Sequence, residues 1–280
     1  MSTPTTPTSL SGTSLPLLVD RESLTSVDDE SYDGPRQLAK YLLMHYGTAE
    51  ETFPDPRHVL ASSYGFVQRL SNGLHLAAAE QGSDVARALD VGCSVGGLTT
   101  VLASWVTGDV VGIDVSEASV EVARRLADAG GGAYDITTDG AAFDRLEIRL
   151  DGGLCPRRFE VGDASAISLP DEPYDAIVLS NVLDRVPDPA DCLRQFTDER
   201  LLRRGGFLMI ACPWSWYPTF SEPDKWLGDP DGTTAQEQLS ELLLPDFDLV
   251  RELETSGVLR QNIREYDYFD AHTSIWMRHR

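Results

Sequence analysis

The chain is poor in cysteine, with four in 280 residues: Cys93, Cys155, Cys192 and Cys212. None stands in a C-x-x-C pair. That argues against a zinc site or a disulfide framework and fits a reducing, cytoplasmic compartment. Long apolar runs are missing. Nothing approaches the roughly 20 residues of a membrane-spanning helix, and no basic patch precedes an apolar stretch at the N-terminus, so neither a membrane protein nor a secretory leader is expected. Basic residues are scarce: 23 Lys and Arg stand against 45 Asp and Glu, for a net charge of −22. Such a surface repels phosphate backbones and anionic membranes, which removes nucleic acid from the expected partners. The same excess fits adaptation to a salty cytoplasm or a merely soluble acidic protein. Hydrophobic content of 41% and charged content of 24% are those of an ordinary globular chain.

What is present starts with a glycine turn. Arg87-Ala-Leu-Asp-Val-Gly-Cys-Ser-Val-Gly-Gly97 runs apolar to Asp90, turns at Gly92 and enters a helix. Val110-Val-Gly-Ile-Asp-Val115 is a second apolar run, ending in Asp114. The two acids lie 24 positions apart, a reasonable length for one strand–turn–helix–strand unit that holds a nucleoside. Gly92 allows a sharp turn close to a ligand. Asp114, at a strand's carboxyl end, is placed to accept from both hydroxyls of a ribose. The dinucleotide fingerprint G-x-G-x-x-G lacks its middle glycine, the residue that lets backbone approach a pyrophosphate; Ser94 stands there. Three readings meet at this loop: a nicotinamide dehydrogenase, an S-adenosylmethionine methyltransferase, and an ordinary α/β turn. The second cofactor has no phosphate and tolerates a side chain at Ser94. Asp90 also fits it, as a group that helps orient a cationic aminoacyl end.

The next strands shift the balance. Arg158–Ala164 places Asp163 at a strand end. Tyr174–Asn181 is a nearly continuous apolar run, as in a parallel strand buried on both faces. Leu201–Ala211 passes through Gly205-Gly206 into a fifth strand. Acids at three successive strand ends would lie along one crevice at the sheet's carboxyl edge. Over 90–215 this set resembles the Class I S-adenosylmethionine-dependent methyltransferases. The resemblance implies a Rossmann-like α/β fold: a seven-stranded, mostly parallel sheet with an N-terminal helical cap and inserted loops. It implies cofactor contacts from Asp90, Gly92, Cys93, Ser94 and Gly96, from Asp114 and Val115, and from Asp163, Ala164 and Ser180. Asp163 would accept from the adenine amino group.

Along the chain, residues 1–31 are rich in Ser, Thr and Pro and are expected to be a disordered tail. One domain over 32–280 follows, with a helical cap at 32–85 and a core at 86–280. The cap is expected as a helix ending at Gly47 and a second over about His58–Gln81. Insertions are expected at 133–156, where Leu146–Leu150 alternates as in a β-hairpin arm, and at 213–245. Two strands, about 246–254 and 273–279, finish the sheet. No internal repeat is visible.

Further stretches carry a closer resemblance: Tyr41-Leu-Leu-Met-His-Tyr-Gly47, Asn181-Val-Leu-Asp-Arg-Val-Pro-Asp-Pro189, Pro213-Trp-Ser-Trp216, Trp226-Leu-Gly228 and Arg264-Glu-Tyr-Asp-Tyr-Phe-Asp-Ala-His-Thr-Ser-Ile-Trp276. From about Tyr32 to the C-terminus, the chain resembles the mercaptohistidine N-methyltransferase domain of ovothiol biosynthesis. That domain is usually fused behind a sulfoxide synthase, which here becomes a possible functional partner. The resemblance implies methyl transfer to an imidazole nitrogen of 5-thiohistidine. Such an acceptor needs a carboxylate partner and a ring clamp. Arg69, Arg185 and Arg264 are candidates for the first. Trp214, Trp216, Tyr217 and Trp226 are candidates for the second, with Tyr41 on the cap. A group accepting the other ring proton would help, and His45, Tyr46 and Asn181 are the candidates. An O- or S-methyltransferase of another small acid and a non-catalytic cofactor-binding homologue stay open.

Overall fold

The computed structural model describes residues 15–25, 33–230 and 232–279. In chain order it has strand β1 (Leu17–Val19) and cap helices α1 (Pro35–Tyr46), α2 (Ala49–Thr52) and α3 (Phe66–Glu80). Next come β2 (Arg87–Val91), α4 (Gly97–Leu102), β3 (Asp109–Asp114) and α5 (Glu117–Ala129). A hairpin of β4 (Gly131–Thr137) and β5 (Phe143–Arg149) leads to β6 (Arg157–Val161). The remainder is β7 (Tyr174–Ser180), α6 (Pro189–Arg194), β8 (Leu202–Cys212), α7 (Ala235–Leu243), β9 (Phe247–Asn262) and β10 (Glu265–Arg278).

The main sheet has seven strands in the order β6-β3-β2-β7-β8-β10-β9. The first five run parallel, and β10 is antiparallel to both its neighbours. This is the Rossmann-like Class I methyltransferase fold expected above. The chain winds outward from β2 through β3 to β6, then restarts at β7 on the other side. The carboxyl ends beside that reversal are where open α/β sheets bind ligands.

Side chains alternate across the sheet. Leu89, Val91, Ile177, Leu179 and Ile210 face α6 and α7, together with Trp276. Ala88, Val178, Met209 and Ile275 face α3 and α4. Each large aliphatic chain so buried stabilises the fold by roughly 1.5–3 kcal/mol relative to exposure. A third cluster joins α1 (Leu38, Leu42, Leu43) to α5, to the β4–β5 hairpin and to Val19 and Leu24.

Four expectations are corrected. Residues 15–25 belong to the fold: Leu17–Val19 pairs parallel with β4, making a three-stranded sheet β1-β4-β5, because Val19 and Leu24 close the third cluster. The rest of the expected tail, 1–14 and 26–31, lies outside the described residues. The second cap helix begins at Phe66, not His58. Gly205 and Gly206 lie inside β8 instead of ahead of it, absorbed by an irregularity in its pairing with β7. The last two strands are far longer than expected, because their outer halves pack against the cap. Arg260 reaches the Glu51 carbonyl at 2.6 Å, and the Tyr266 hydroxyl donates to the Thr52 carbonyl at 3.3 Å.

Arg69 explains the late start of α3. Its guanidinium gathers the carbonyls of Ser62, Ser63 and Tyr64 and ties them to that of Ser256 on β9. That collar holds 58–65 as a turn. Arg69 is therefore a structural clamp, away from any acceptor. Arg69→Met strands those carbonyls and is expected to cost about 2 kcal/mol, or roughly 4–8 °C in Tm for a domain of this size. Thermal unfolding with and without S-adenosylhomocysteine checks it: the same ligand-induced stabilisation should persist in the variant.

Candidate functional site

The β2 end, the loop after it and the β3 end build one wall of a cavity of about 380 Å³. The Gly92 and Cys93 amides both donate to the Ile113 carbonyl, at 2.8 and 2.9 Å, folding the loop across β3. Gly92 has φ +75, and a Cβ there would stand 2.1 Å from Val182, so glycine is required. Ser94 takes the left-handed region at φ +48 although it has a side chain. Its amide donates to Asp114 Oδ2 at 2.8 Å, and the Ser116 amide donates to Oδ1 at 2.9 Å. Burial raises the Asp114 carboxyl above its ordinary range, partly offset by these amides. An ionised carboxylate accepts about four hydrogen bonds, so Asp114 keeps capacity for a diol.

Asp90 is buried, and Thr99 Oγ1 donates to its Oδ2 at 2.7 Å. Burial pushes its carboxyl up to about 7. Asp163 lies across the cavity and accepts from the Ser165 amide at 2.7 Å. Three acids thus line one concavity, suited to hydroxyls, an amine and an ammonium. Two wall atoms, Ser94 Oγ and Asn181 Oδ1, are buried without a partner among the described residues. These orphaned groups and the spare capacity of Asp114 fit a polar ligand with the donors and acceptors of S-adenosylmethionine.

The structure brings Asp90, Gly92, Cys93, Ser94, Asp114 and Val115 onto the cavity wall. Asp163, Ala164, Ser180 and Asn181 join them, as do Tyr41, His45 and Arg185. Gly96 stands behind the wall. Met44, Phe66, Val67, Leu98, Val182, Val186, Pro187 and Phe220 line it without having been expected. Met44 follows Tyr41 by one helical turn, so the face of α1 gave a signal. Phe66 and Val67 gave none, because their helix begins later than its pattern suggests.

Arg185 sits where the loop after β8 crosses the cavity mouth. Asp184, fully buried, accepts at Oδ2 from the Ser215 amide and hydroxyl, both at 3.0 Å. Arg185 Nη1 donates to the Asp184 carbonyl at 3.0 Å and the Ser215 carbonyl at 2.6 Å, and Nη2 donates to Ser215 Oγ at 2.9 Å. A guanidinium has five N–H groups, so the Nε edge and one Nη2 hydrogen remain for a ligand. Tyr217 and Phe220 cover its faces, 4.8 and 5.6 Å from the ring centroids.

The other expected acceptor residues lie elsewhere. Trp214, Trp216 and Trp226 form a row with ring centroids 6.3 and 6.2 Å apart, and the first two pack beside the α6–α7 core. Trp214 has φ +55, a strained value for a bulky residue, and its indole lies 5.9 Å from the His272 ring. These aromatics carry the loop and do not wall the cavity. Tyr217 is half exposed and reaches the site only through Arg185. Arg264 caps the β9–β10 turn in an exposed ion pair with Asp139 at 3.1 Å. The Tyr46 hydroxyl donates to the Val95 carbonyl at 2.9 Å, and burial drives its pKa upward, so it supports the loop from behind and is no base. His45 Nδ1 accepts from the Gly97 amide at 3.1 Å, which occupies the lone pair a base would use.

Comparison with known proteins agrees with this geometry. Residues 89–210 match the family model described as a methyltransferase domain. A 2-methyl-6-phytyl-1,4-hydroquinone methyltransferase from Synechocystis sp. (strain ATCC 27184 / PCC 6803 / Kazusa) is 27% identical over 169 residues, 60% of this chain. The match spans 43% of that relative's length. Magnesium protoporphyrin IX methyltransferase from Synechocystis PCC 6803, solved with bound S-adenosylmethionine, shares the fold at a TM-score of 0.53 and 15% identity, over 88% of this chain and 93% of its own. Residues 89–210 thus match a methyltransferase-domain model, on a sheet with the Class I methyltransferase fold.

Two buried groups oppose each other in pH dependence. His45 is pushed down to about 4 from 6.5 by burial, so it contributes a stability that rises with pH across that window. Asp90, raised to about 7 from 3.8, contributes a stability that falls with pH over nearly the same range. Relative to wild type, Asp90→Asn is expected to steepen the rise of unfolding free energy between pH 4.5 and 6.5, approaching ~1.4 kcal/mol per pH unit for one proton. His45→Asn is expected to tilt it the other way. Urea unfolding across pH reads both, and parallel curves for all three proteins would contradict the assignments.

Proposed function

We propose that the protein transfers a methyl group from S-adenosylmethionine to an imidazole nitrogen of 5-thiohistidine, a step of ovothiol biosynthesis, in the cytoplasm. A sulfoxide synthase would supply the thiolated imidazole. The observation that carries this reading is Arg185, the one Arg or Lys side chain among the described residues lining the cavity, with N–H groups left to grip a carboxylate. An amino-acid acceptor presents that carboxylate.

In this reading Asp114 receives the ribose hydroxyls, Asp163 the adenine amino group, and Asp90 the ammonium of the aminoacyl end. Bound S-adenosylmethionine supplies an electrophilic methyl on a sulfonium. The protein's task is to align a nucleophile and exclude water. Phe66, Leu98, Val182 and Val186 provide apolar walls for that. Neither His45 nor Tyr46 is placed as a base: His45 Nδ1 is occupied by the Gly97 amide, and the Tyr46 hydroxyl is tied to the Val95 carbonyl and does not line the cavity. That favours a nucleophile already carrying a lone pair near neutral pH, and a neutral imidazole, with a reference pKa of about 6.5, is one. Asn181 holds a left-handed backbone at φ +57, tolerated by Asn better than by most side chains, and its buried Oδ1 is free to accept the other ring N–H.

Incubation with methyl-labelled S-adenosylmethionine and a panel of histidine, 5-thiohistidine, 2-thiohistidine and unrelated small carboxylates tests the proposal. Mass spectrometry should place the label on a ring nitrogen of 5-thiohistidine. Arg185→Lys keeps the charge but loses the planar fork, and should raise the acceptor's KM at least about tenfold, the worth of one charge-assisted bond. Fragments releasing labelled methanethiol, or turnover confined to an unrelated carboxylate, would overturn the assignment of acceptor and atom.

A further inference from the structure

His45 projects from the cap helix onto the glycine loop, and it both binds the loop and lines the cavity. The Gly97 amide, at the start of α4, donates to Nδ1 at 3.1 Å. A Cβ on Gly97 would stand 2.4 Å from His45 Cβ and 2.6 Å from Nδ1, so this approach needs glycine. A neutral imidazole that accepts at Nδ1 carries its proton at Nε2. A doubly protonated ring would turn an N–H against the Gly97 N–H. The ring lines the cavity, and no described residue takes a hydrogen bond from Nε2. The side chain therefore offers the cavity a donor and nothing else.

We propose that His45 is a fixed neutral donor, from Nε2–H, for the carboxylate at the amino-acid end of the bound cofactor. This rests on the cofactor site described above. The charged side chains nearest His45 on this wall are the carboxylates of Asp90 and Asp114, which suit an ammonium and hydroxyls and repel an anion, and the Ser94 hydroxyl is the one other side-chain oxygen donor on the loop among the described residues lining the cavity. The cofactor's carboxylate stands beside its ammonium, so its partner must be a donor near Asp90. His45 meets that requirement through the loop. Gly97 binds its ring, and Thr99, two residues on in α4, binds Asp90. A neutral donor also avoids leaving an uncompensated cation buried in the free protein. Burial keeps the ring neutral down to about pH 4. The cap helix and the cofactor's amino-acid end thus share one side chain.

The experiment compares two ligands on three proteins by calorimetry at pH 7.5. The ligands are S-adenosylhomocysteine and S-adenosyl-3-thiopropylamine, the same thioether without its carboxylate. His45→Asn keeps an acceptor near the Nδ1 position and removes the distal donor. His45→Gln reaches the Nε2 position and gives up the Gly97 contact. His45→Asn should bind S-adenosylhomocysteine about tenfold more weakly, the worth of one hydrogen bond to a charged group, and bind the decarboxylated ligand as wild type does. His45→Gln should keep most of the affinity for S-adenosylhomocysteine while losing melting temperature. Nitrogen-15 spectra of the wild type should show the Nε2–H tautomer from pH 6 to 8, with that proton shifted on ligand binding. Equal weakening of both ligands by His45→Asn, or an Nδ1–H tautomer, overturns the proposal and leaves the cofactor site intact. A wild-type protein that binds neither ligand overturns the cofactor site and this inference with it.

Discussion

Two backbone amides, those of Ser94 and Ser116, converge on the carboxylate of Asp114, and the cavity exists because they do. The first pins a loop that would otherwise leave β2 in any direction; the second starts α5. Ser94 pays for its left-handed backbone with that bond. The loop so fixed lets Gly97 meet His45, and α1 then closes over the carboxyl edge of the sheet. Asp114 becomes a buried acid whose remaining lone pairs face the cavity. A carboxylate held by two amides is preorganised for hydroxyl donors in a way that a mobile surface acid is not.

The opposite wall depends on a second buried carboxylate. Asp184 captures the Ser215 amide and hydroxyl, and so draws the loop after β8 down beside β7. The tryptophan row holds that loop from the far side. Arg185 is left bridging the two, its charge partly compensated by Asp184 at 3.0 Å and the rest directed to the cavity mouth. In a protein of net charge −22, that guanidinium is the one Arg or Lys among the described residues lining the cavity, and the proposed amino-acid acceptor rests on it.

Much of this was legible in the sequence where spacing and residue type act together. Asp90, Gly92 and Asp114 announce a strand–turn–helix–strand unit, and the apolar run Tyr174–Ser180 announces a doubly covered strand. The alternation at Leu146–Leu150 led to the hairpin arm. What stayed hidden depended on where long side chains end. Arg69, Arg185 and Arg264 look alike in sequence. One collects turn carbonyls, one crosses the cavity and one pairs with Asp139 on the surface, and only tertiary distances separate them. The tryptophans misled for a related reason. A Pro-rich loop suggests no core of its own, yet this one lies on the α6–α7 core and meets His272 of β10. His45 was legible as a cap residue facing the site but not as a donor, since its tautomer is set by a glycine amide 52 positions away.

The central claim is that Asp114, held by the Ser94 and Ser116 amides, carries the ribose of the cofactor. Calorimetric titration of S-adenosylhomocysteine into wild type and Asp114→Ala tests it most directly. The account predicts a loss of about 2–3 kcal/mol in the variant, the range for hydrogen bonds to a charged group, with NADH binding to neither protein. Unchanged affinity for S-adenosylhomocysteine in Asp114→Ala, or tight NADH binding by the wild type, would contradict it.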